Sequence, residues 1–346
     1  VIGNGAEKTA PDGTILGGLS MRRLVRKLAG RVGDLFYSNQ QRQEIAELRA
    51  LIERERMSAK LAELHAIVTE DRAHPRMNVA DRVSQLILLN QYRTLVRGRH
   101  PLPTFDDVEF RAFSQNGEDG ILLFVFALIG MVNRRCVEIC AGDGIQCNSA
   151  NLIINHGWNG LLFDGDDQLL ARGRAYYSRL GDTFCYPPKL VHSWITRDNV
   201  NDLIESHGFE GPVDLLSLDL DGMDYWIWEA IDVIRPRVVI AEIQCIWGAE
   251  RAVTVPYTEQ FKTRLDGHFG IYSGASLPAF TKLARKKGYR LVGVQRLGFN
   301  AVFIQDGIGE DILPEVDIDS CTSRPFVDWA KRDLLPKVAD LQWTEV

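Results

Sequence analysis

From residue 105 onward, short apolar runs recur along the chain: RCVEICA, GLLFDG, DLLSLDL, RVVIAEI, YRLVGV and AVFIQ, most of them separated by stretches with helical spacing. Runs this short that stay apolar suit strands covered on both faces. Their alternation with helices predicts an α/β fold, a doubly wound and mostly parallel Rossmann-like sheet. The last two runs lie close together around RLGFN, too close for a parallel crossover, so they are expected to close the sheet as a C-terminal antiparallel hairpin. SLPAFTKLARKK predicts a helix with Ser276 as its N-cap and Gly288 as its stop.

The period is different before residue 105. In LSMRRLVRKLAGRVGDLFY (19–37), Leu24, Val25, Leu28, Val32 and Leu35 share a stripe, with Arg22, Arg23, Arg26, Lys27 and Arg31 mostly opposite. A basic amphipathic helix of this kind suits peripheral contact with an anionic membrane surface, or packing on protein; Gly30 and Gly33 weaken it as an isolated helix. From Gln40 to about Val68, Ile45, Leu48, Ile52, Leu61, Leu64 and Val68 recur at helical spacings, predicting a helical hairpin or short coiled coil and, with it, a homo-oligomer. Pro75 ends that stretch, DRVSQLILLNQYRTLV restarts a helix, and HPLP at 100–103 marks a boundary. The expected organisation is a helical region over 1–104 and a Rossmann-like domain over 105–346.

Composition narrows the class. With 346 residues, 45% hydrophobic and 25% charged, the chain can bury a full core. It holds no apolar run of about 18 residues, and VIGNGAEKTAPDG lacks the grammar of a signal peptide. A cytoplasmic protein is expected, at most peripheral to the inner face of the membrane. Six scattered cysteines without a CxxC pair suit a reducing compartment and argue against zinc. Residues 1–104 carry 17 Lys+Arg against 11 Asp+Glu and the remainder 23 against 35, so the main body is acidic. Nucleic acid is therefore not expected as a partner.

Candidate chemistry begins at VEICAGDG (137–144), a strand entering a glycine turn. In an open α/β sheet ligands collect at such exits. A dinucleotide fingerprint would require glycine at 147, where Cys147 stands. Glu138 in the strand and Asp143 between Gly142 and Gly144 would repel a pyrophosphate but suit a ligand carrying an ammonium and a sulfonium. That pattern points to S-adenosylmethionine, with Glu138, Ala141, Gly142, Asp143, Gly144 and Asn148 expected around it. Asp164, ending the second strand 20 residues after Gly144, can accept both ribose hydroxyls, a feature NAD would share. In DLLSLDLDGMDYWIWEAI (214–231), period-two alternation would point Asp219 and Asp221 to one side, and the following aromatics are expected to be core.

Taken together, FSQNGEDGIL (113–122), VEICAGDG, CNSANLI, GWNGLLFDGD, DLLSLDLDGMDYWIWEAI and GFNAVFI resemble the FkbM-like branch of class I S-adenosylmethionine-dependent methyltransferases over residues 105–305. The resemblance is to bacterial members associated with surface polysaccharides, and it implies O-methylation of a sugar hydroxyl on a carbohydrate or glycoconjugate acceptor. Cys140 stands where the family pattern usually has glycine. The resemblance also implies magnesium held by Asp219, Asp221 and Glu242, the last ending VVIAE. Without a metal, Asp219 would orient the methionine ammonium and Asp221 or a histidine would take the proton; a third reading has the acids merely cap a helix. His268, in the long 249–275 segment, is the histidine candidate for the base. Two alternatives share parts of this pattern: an NAD-dependent oxidoreductase, and a non-catalytic assembly module with a degenerate cofactor fold.

Overall fold

The computed structural model describes residues 79–267 and 269–346. The basic helix at 19–37, the hairpin or coiled coil at 40–68, and His268 lie outside the described residues. The described chain falls within one compact unit, His74–Val346.

Seven strands build the sheet: β1 (Arg135–Ile139), β2 (Asn159–Asp164), β3 (Lys189–His192), β4 (Gly211–Leu218), β5 (Ile234–Glu242), β6 (Tyr289–Val294) and β7 (Asn300–Gln305). Their order is β3-β2-β1-β4-β5-β7-β6. The first five run parallel, and β7 lies antiparallel between β5 and β6. This is a doubly wound, mostly parallel Rossmann-like sheet closed by an antiparallel hairpin. All six apolar runs are strands. The seventh, β3, escapes pattern reading because KLVH is four residues long and has one buried position, as befits an edge.

Both faces of the sheet are covered. Helix α1 (Val79–Arg97) packs on α2 (Glu118–Ile129), whose sequence EDGILLFVFALI is apolar nearly all round. A helix without a polar face has to be interior, and 11 of its 12 residues are buried between α1 and the sheet. On the other face Trp228 packs against Phe303 and Tyr289, with centroids 5.2 and 5.8 Å apart, so this aromatic is core as expected. The helix Leu277–Lys287 starts and stops where predicted: the Ser276 side chain accepts from the Ala279 N–H, and Gly288 takes φ 81°.

Helix α1 belongs energetically to this unit. Leu89 and Tyr92 are buried, and Tyr92 meets Phe124 edge-on at 5.0 Å. Gln85 exchanges two hydrogen bonds with Asn151, of 3.0 and 2.9 Å, and its Oε1 lies 2.8 Å from Nε2 of His156. His156 closes α3 (Ala150–His156), as a helix-end residue; burial, with Arg82 and Arg134 nearby, pushes its pKa down to about 4, so it stays neutral. Removing 1–104 should cost about 3 kcal/mol or more, because two apolar side chains and a buried amide network go with α1. Urea unfolding of chains beginning at 79 and at 105 checks this, and equal stability of the two would show that α1 contributes nothing to the folded unit.

The 249–275 segment is folded rather than open loop. Val253–Thr254 pairs with Thr344–Glu345, and Arg264–Asp266 forms a hairpin with Phe269–Tyr272. Among the described residues no helix is long and apolar enough to cross a membrane.

Candidate active site

Strand order reverses between β1 and β4, and a cleft of about 610 Å³ opens beyond the carboxyl ends of β1, β2, β4 and β5. Of the predicted residues, Glu138, Ala141, Gly142, Asp143, Asn148, Asp164, Asp219, Asp221 and Glu242 line it. Gly144 does not. It sits beneath the rim at φ 70°, where an added Cβ would come within 3.0 Å of Leu162, and its carbonyl accepts from the Tyr177 hydroxyl.

The loop is held by the very carboxylates read as ligand groups. Glu138 is buried, and its two oxygens accept from the Asn148 and Ser149 N–H groups, each at 2.9 Å, and from the hydroxyls of Ser149 and Ser217. Asp164 accepts from the Gly142 N–H at 2.7 Å and the Asp166 N–H at 2.8 Å, which ties the loop to the end of β2. Asp143 accepts from the Ile145 and Gln146 N–H groups and lies 3.6 Å from Arg172. Every second residue of Cys140-Ala141-Gly142-Asp143-Gly144 is left-handed, with φ of 67°, 59° and 70° at 140, 142 and 144. Glycine adopts that conformation without a Cβ clash, so the cysteine at 140 carries backbone strain at the rim of the cleft.

Asp219, Asp221 and Glu242 converge: one carboxylate oxygen from each lies within 4.8 Å of the others. The route differs from simple alternation, because β4 ends at Leu218 and the two aspartates stand in the turn beyond it. Asp221 is itself left-handed, at φ 52°. The turn is shaped by Asp224, which sequence reasoning passed over in DGMD. Its buried carboxylate accepts from the Leu220 N–H at 2.7 Å and the Gly222 N–H at 3.1 Å. Asp224 thus holds the turn, and the following helix, Asp224–Ala230, has no side-chain cap, so neither Asp219 nor Asp221 caps it.

Burial, then neighbouring carboxylates, hold Asp219 and Glu242 well above the ordinary carboxylate range, and the Glu242 carboxyl is hydrogen-bonded to Asp219. Burial also raises Asp221, the most exposed of the three. No ion pair to this trio occurs among the described residues, so its mutual repulsion has no built-in counter-charge. Below the unperturbed values, 3.8 for Asp and 4.5 for Glu, folded and unfolded chains are both protonated and the cluster costs nothing. As pH rises the unfolded chain ionises first, and stability is lost through about 6 for Asp224 and, for Asp219 and Glu242, as pH climbs well past their ordinary values. Glu242→Gln should therefore raise stability by about 1–3 kcal/mol near pH 8 and leave it unchanged near pH 4. Thermal unfolding at both pH values checks this, and a variant less stable at the higher pH would contradict it.

The facing wall comes from residues that the motifs contained but no role had been given to. In FSQNGEDG, Asp119 gathers the N–H groups of Ala112, Phe113 and Ser114 at 2.8, 2.6 and 2.7 Å, though burial still pushes its carboxyl up to about 6. That knot presents Gln115, Asn116 and Glu118 to the cleft. Glu118 accepts from Asn300 Nδ2 at 2.9 Å, joining FSQNGEDG to GFNAVFI across 182 residues of chain. Further out, Phe269, Phe299 and Phe326 complete the wall. Phe326 lies beyond the last of the motifs, GFNAVFI.

No described histidine lines the cleft. His192 ends β3, exposed, with Nε2 3.0 Å from the Gly165 carbonyl. All six cysteines are free.

No protein-family model matches the chain, and no curated protein does. Among solved structures the fold is similar to the methyltransferase domain of a bacterial Hen1, at 16% identity over 54% of this chain and 97% of that one, TM-score 0.35. It is also similar to an O-methyltransferase from Bacillus cereus in complex with S-adenosylhomocysteine, at 14% identity over 68% and 94%, TM-score 0.38. A third is the N-terminal domain of EvdMO1, crystallised with S-adenosylhomocysteine and D-fucose, at 12% identity over 55% and 82%, TM-score 0.36. At such scores nothing about activity follows from these neighbours, and the fold rests on the strand order.

Proposed function

We propose that this protein is an S-adenosylmethionine-dependent O-methyltransferase acting on a sugar hydroxyl. The observation that carries the reading is the acidity of the cleft: seven carboxyl groups line it, at Glu118, Glu138, Asp143, Asp164, Asp219, Asp221 and Glu242, of which burial holds Asp219 and Glu242 towards the neutral form, against one basic side chain among the described residues, Arg172. A pyrophosphate would face like charge almost everywhere, whereas a sulfonium with an ammonium finds complementary groups. S-adenosylmethionine, when bound, supplies an electrophilic methyl group. Asp164 would hold the ribose hydroxyls, since each of its oxygens keeps a lone pair beyond its one backbone donor. The chain's remaining task is to align the acceptor oxygen and remove its proton. Asp221, raised in pKa and open to the cleft, is the group assigned to accept that proton.

The trio also suits a hard divalent cation: three oxygens converge without a counter-charge, and magnesium takes such ligands together with water. A bound ion would lower the pKa of the acceptor hydroxyl. Magnesium should then raise the thermal midpoint of the wild type and leave that of Glu242→Gln unmoved.

Calorimetry separates the classes. Binding of S-adenosylmethionine without binding of NAD is the expected result. NAD binding would favour the oxidoreductase, and neither binding would favour an assembly module.

A further inference from the structure

One buried atom in the cleft lacks a partner. Asn300 is 5% exposed, its Nδ2 is committed to Glu118, and its Oδ1 has no donor. Asn300 lines the cleft directly across the sheet from Glu242, and opposed residues on adjacent antiparallel strands point to the same face. A buried carbonyl oxygen left without a donor is costly, which favours a ligand that supplies one. Beside it Glu118 is itself an acceptor, taking the Asn300 Nδ2 hydrogen, so Asn300 and Glu118 make this part of the floor accepting, and what settles there has to bring O–H or N–H groups.

The wall above has the opposite character. Phe326 stands 5.1 Å from Phe299 and 5.7 Å from Phe269, centroid to centroid, and all three line the cleft. No basic side chain lines this half among the described residues. Lys331 is paired with Glu250 at 2.6 Å and Lys337 with Asp266. An accepting floor beneath an aromatic wall matches a ring with hydroxyls on its edge and C–H bonds on its face. It offers nothing to a diphosphate, which needs clustered donors and positive charge.

Resting on the methyl-transfer reading, we infer that the space between Asn300 and Phe326 is the acceptor subsite, that it takes a neutral sugar already joined in a glycoside, and that it rejects the same sugar as its nucleoside diphosphate. The reaction supplying this substrate is then a glycosyl transfer. In it the anomeric carbon exchanges its bond to the nucleotide for a bond to an acceptor oxygen, releasing the nucleotide and a proton. Methylation follows transfer.

The test uses the full chain saturated with S-adenosylhomocysteine and titrated calorimetrically with phenyl glycosides of the common hexoses and deoxyhexoses. Each is paired with its own nucleoside-diphosphate sugar, with and without magnesium. The expected result is a neutral glycoside that binds at least ~10-fold tighter than its nucleotide form under both conditions. Asn300→Leu and Phe326→Ala should each weaken that binding ~10-fold while changing S-adenosylhomocysteine affinity less than ~2-fold. A nucleotide sugar bound as tightly as its glycoside, no glycoside bound at all, or both variants binding normally would overturn the inference. A chain that takes up no S-adenosylhomocysteine brings down the methyl-transfer reading and this inference with it, an outcome distinct from a loaded protein that prefers the nucleotide.

Discussion

Asp221→Asn should bind S-adenosylhomocysteine within ~2-fold of the wild type and transfer methyl groups ~10²–10⁴-fold more slowly, the range typical of removing a general base. The substitution is nearly isosteric, and asparagine is among the few residues at ease at the left-handed φ of 52° found here, so loss of fold is not the expected cause. The pH profile separates the explanations. Because burial raises the Asp221 carboxyl, the wild-type rate should climb with pH through a value above the ordinary 3.8, as the base form appears. That ascending limb should vanish in the variant. Labelled methyl transfer across pH provides the measurement, and normal turnover with the limb intact would move the base elsewhere, with His268 the next residue to replace.

Asp164→Ala is expected to abolish useful cofactor affinity, by ~100-fold or more. The loss has two parts. The ribose hydroxyls lose their acceptor, and the Gly142 and Asp166 N–H groups lose a charged partner, in a class of hydrogen bond worth about 1.5–3 kcal/mol each. The second part loosens the loop itself, so the effect should exceed that of any single ligand contact. Calorimetry with S-adenosylhomocysteine reads the affinity, and far-UV circular dichroism should remain that of the wild type. Unchanged affinity would mean that Asp164 merely ties the loop and the cofactor lies elsewhere.

Both predictions share a physical source. The cleft concentrates like charge at a place where the backbone is also strained, at Cys140 and Asp221, and such arrangements persist only when the surrounding fold is stable enough to hold them. This is why Glu242→Gln is expected to gain stability as pH rises. The same replacement removes a cation ligand if magnesium binds, so stability and activity should move in opposite directions.

Much of this molecule could be read from residue order alone. Apolar runs without alternation predict strands covered on both faces, and the short RLGFN link predicts an antiparallel end, because strand burial and crossover length are local constraints. The cleft residues Glu138, Asp143, Asp164, Asp219, Asp221 and Glu242 were legible as charged positions at strand exits. Their division of labour was not. Glu138 reads as a ligand group in sequence but spends its oxygens on its own loop, since only the folded chain brings Asn148, Ser149 and Ser217 to it. Asp219 and Asp221 converge through a turn held by Asp224, not through strand alternation.

The sequence by itself determined the architecture, the acidity of the main body and the strand ends where a ligand would meet it, because periodicity, charge and chain reach act over a few residues. Tertiary structure alone decided that α1 belongs to the folded unit, that Asn300 reaches Glu118 and keeps an unpartnered oxygen, and that Phe269, Phe299 and Phe326 form one wall. These pairings join segments up to 182 residues apart. No local pattern encodes them, because they arise from how the sheet stacks its neighbours.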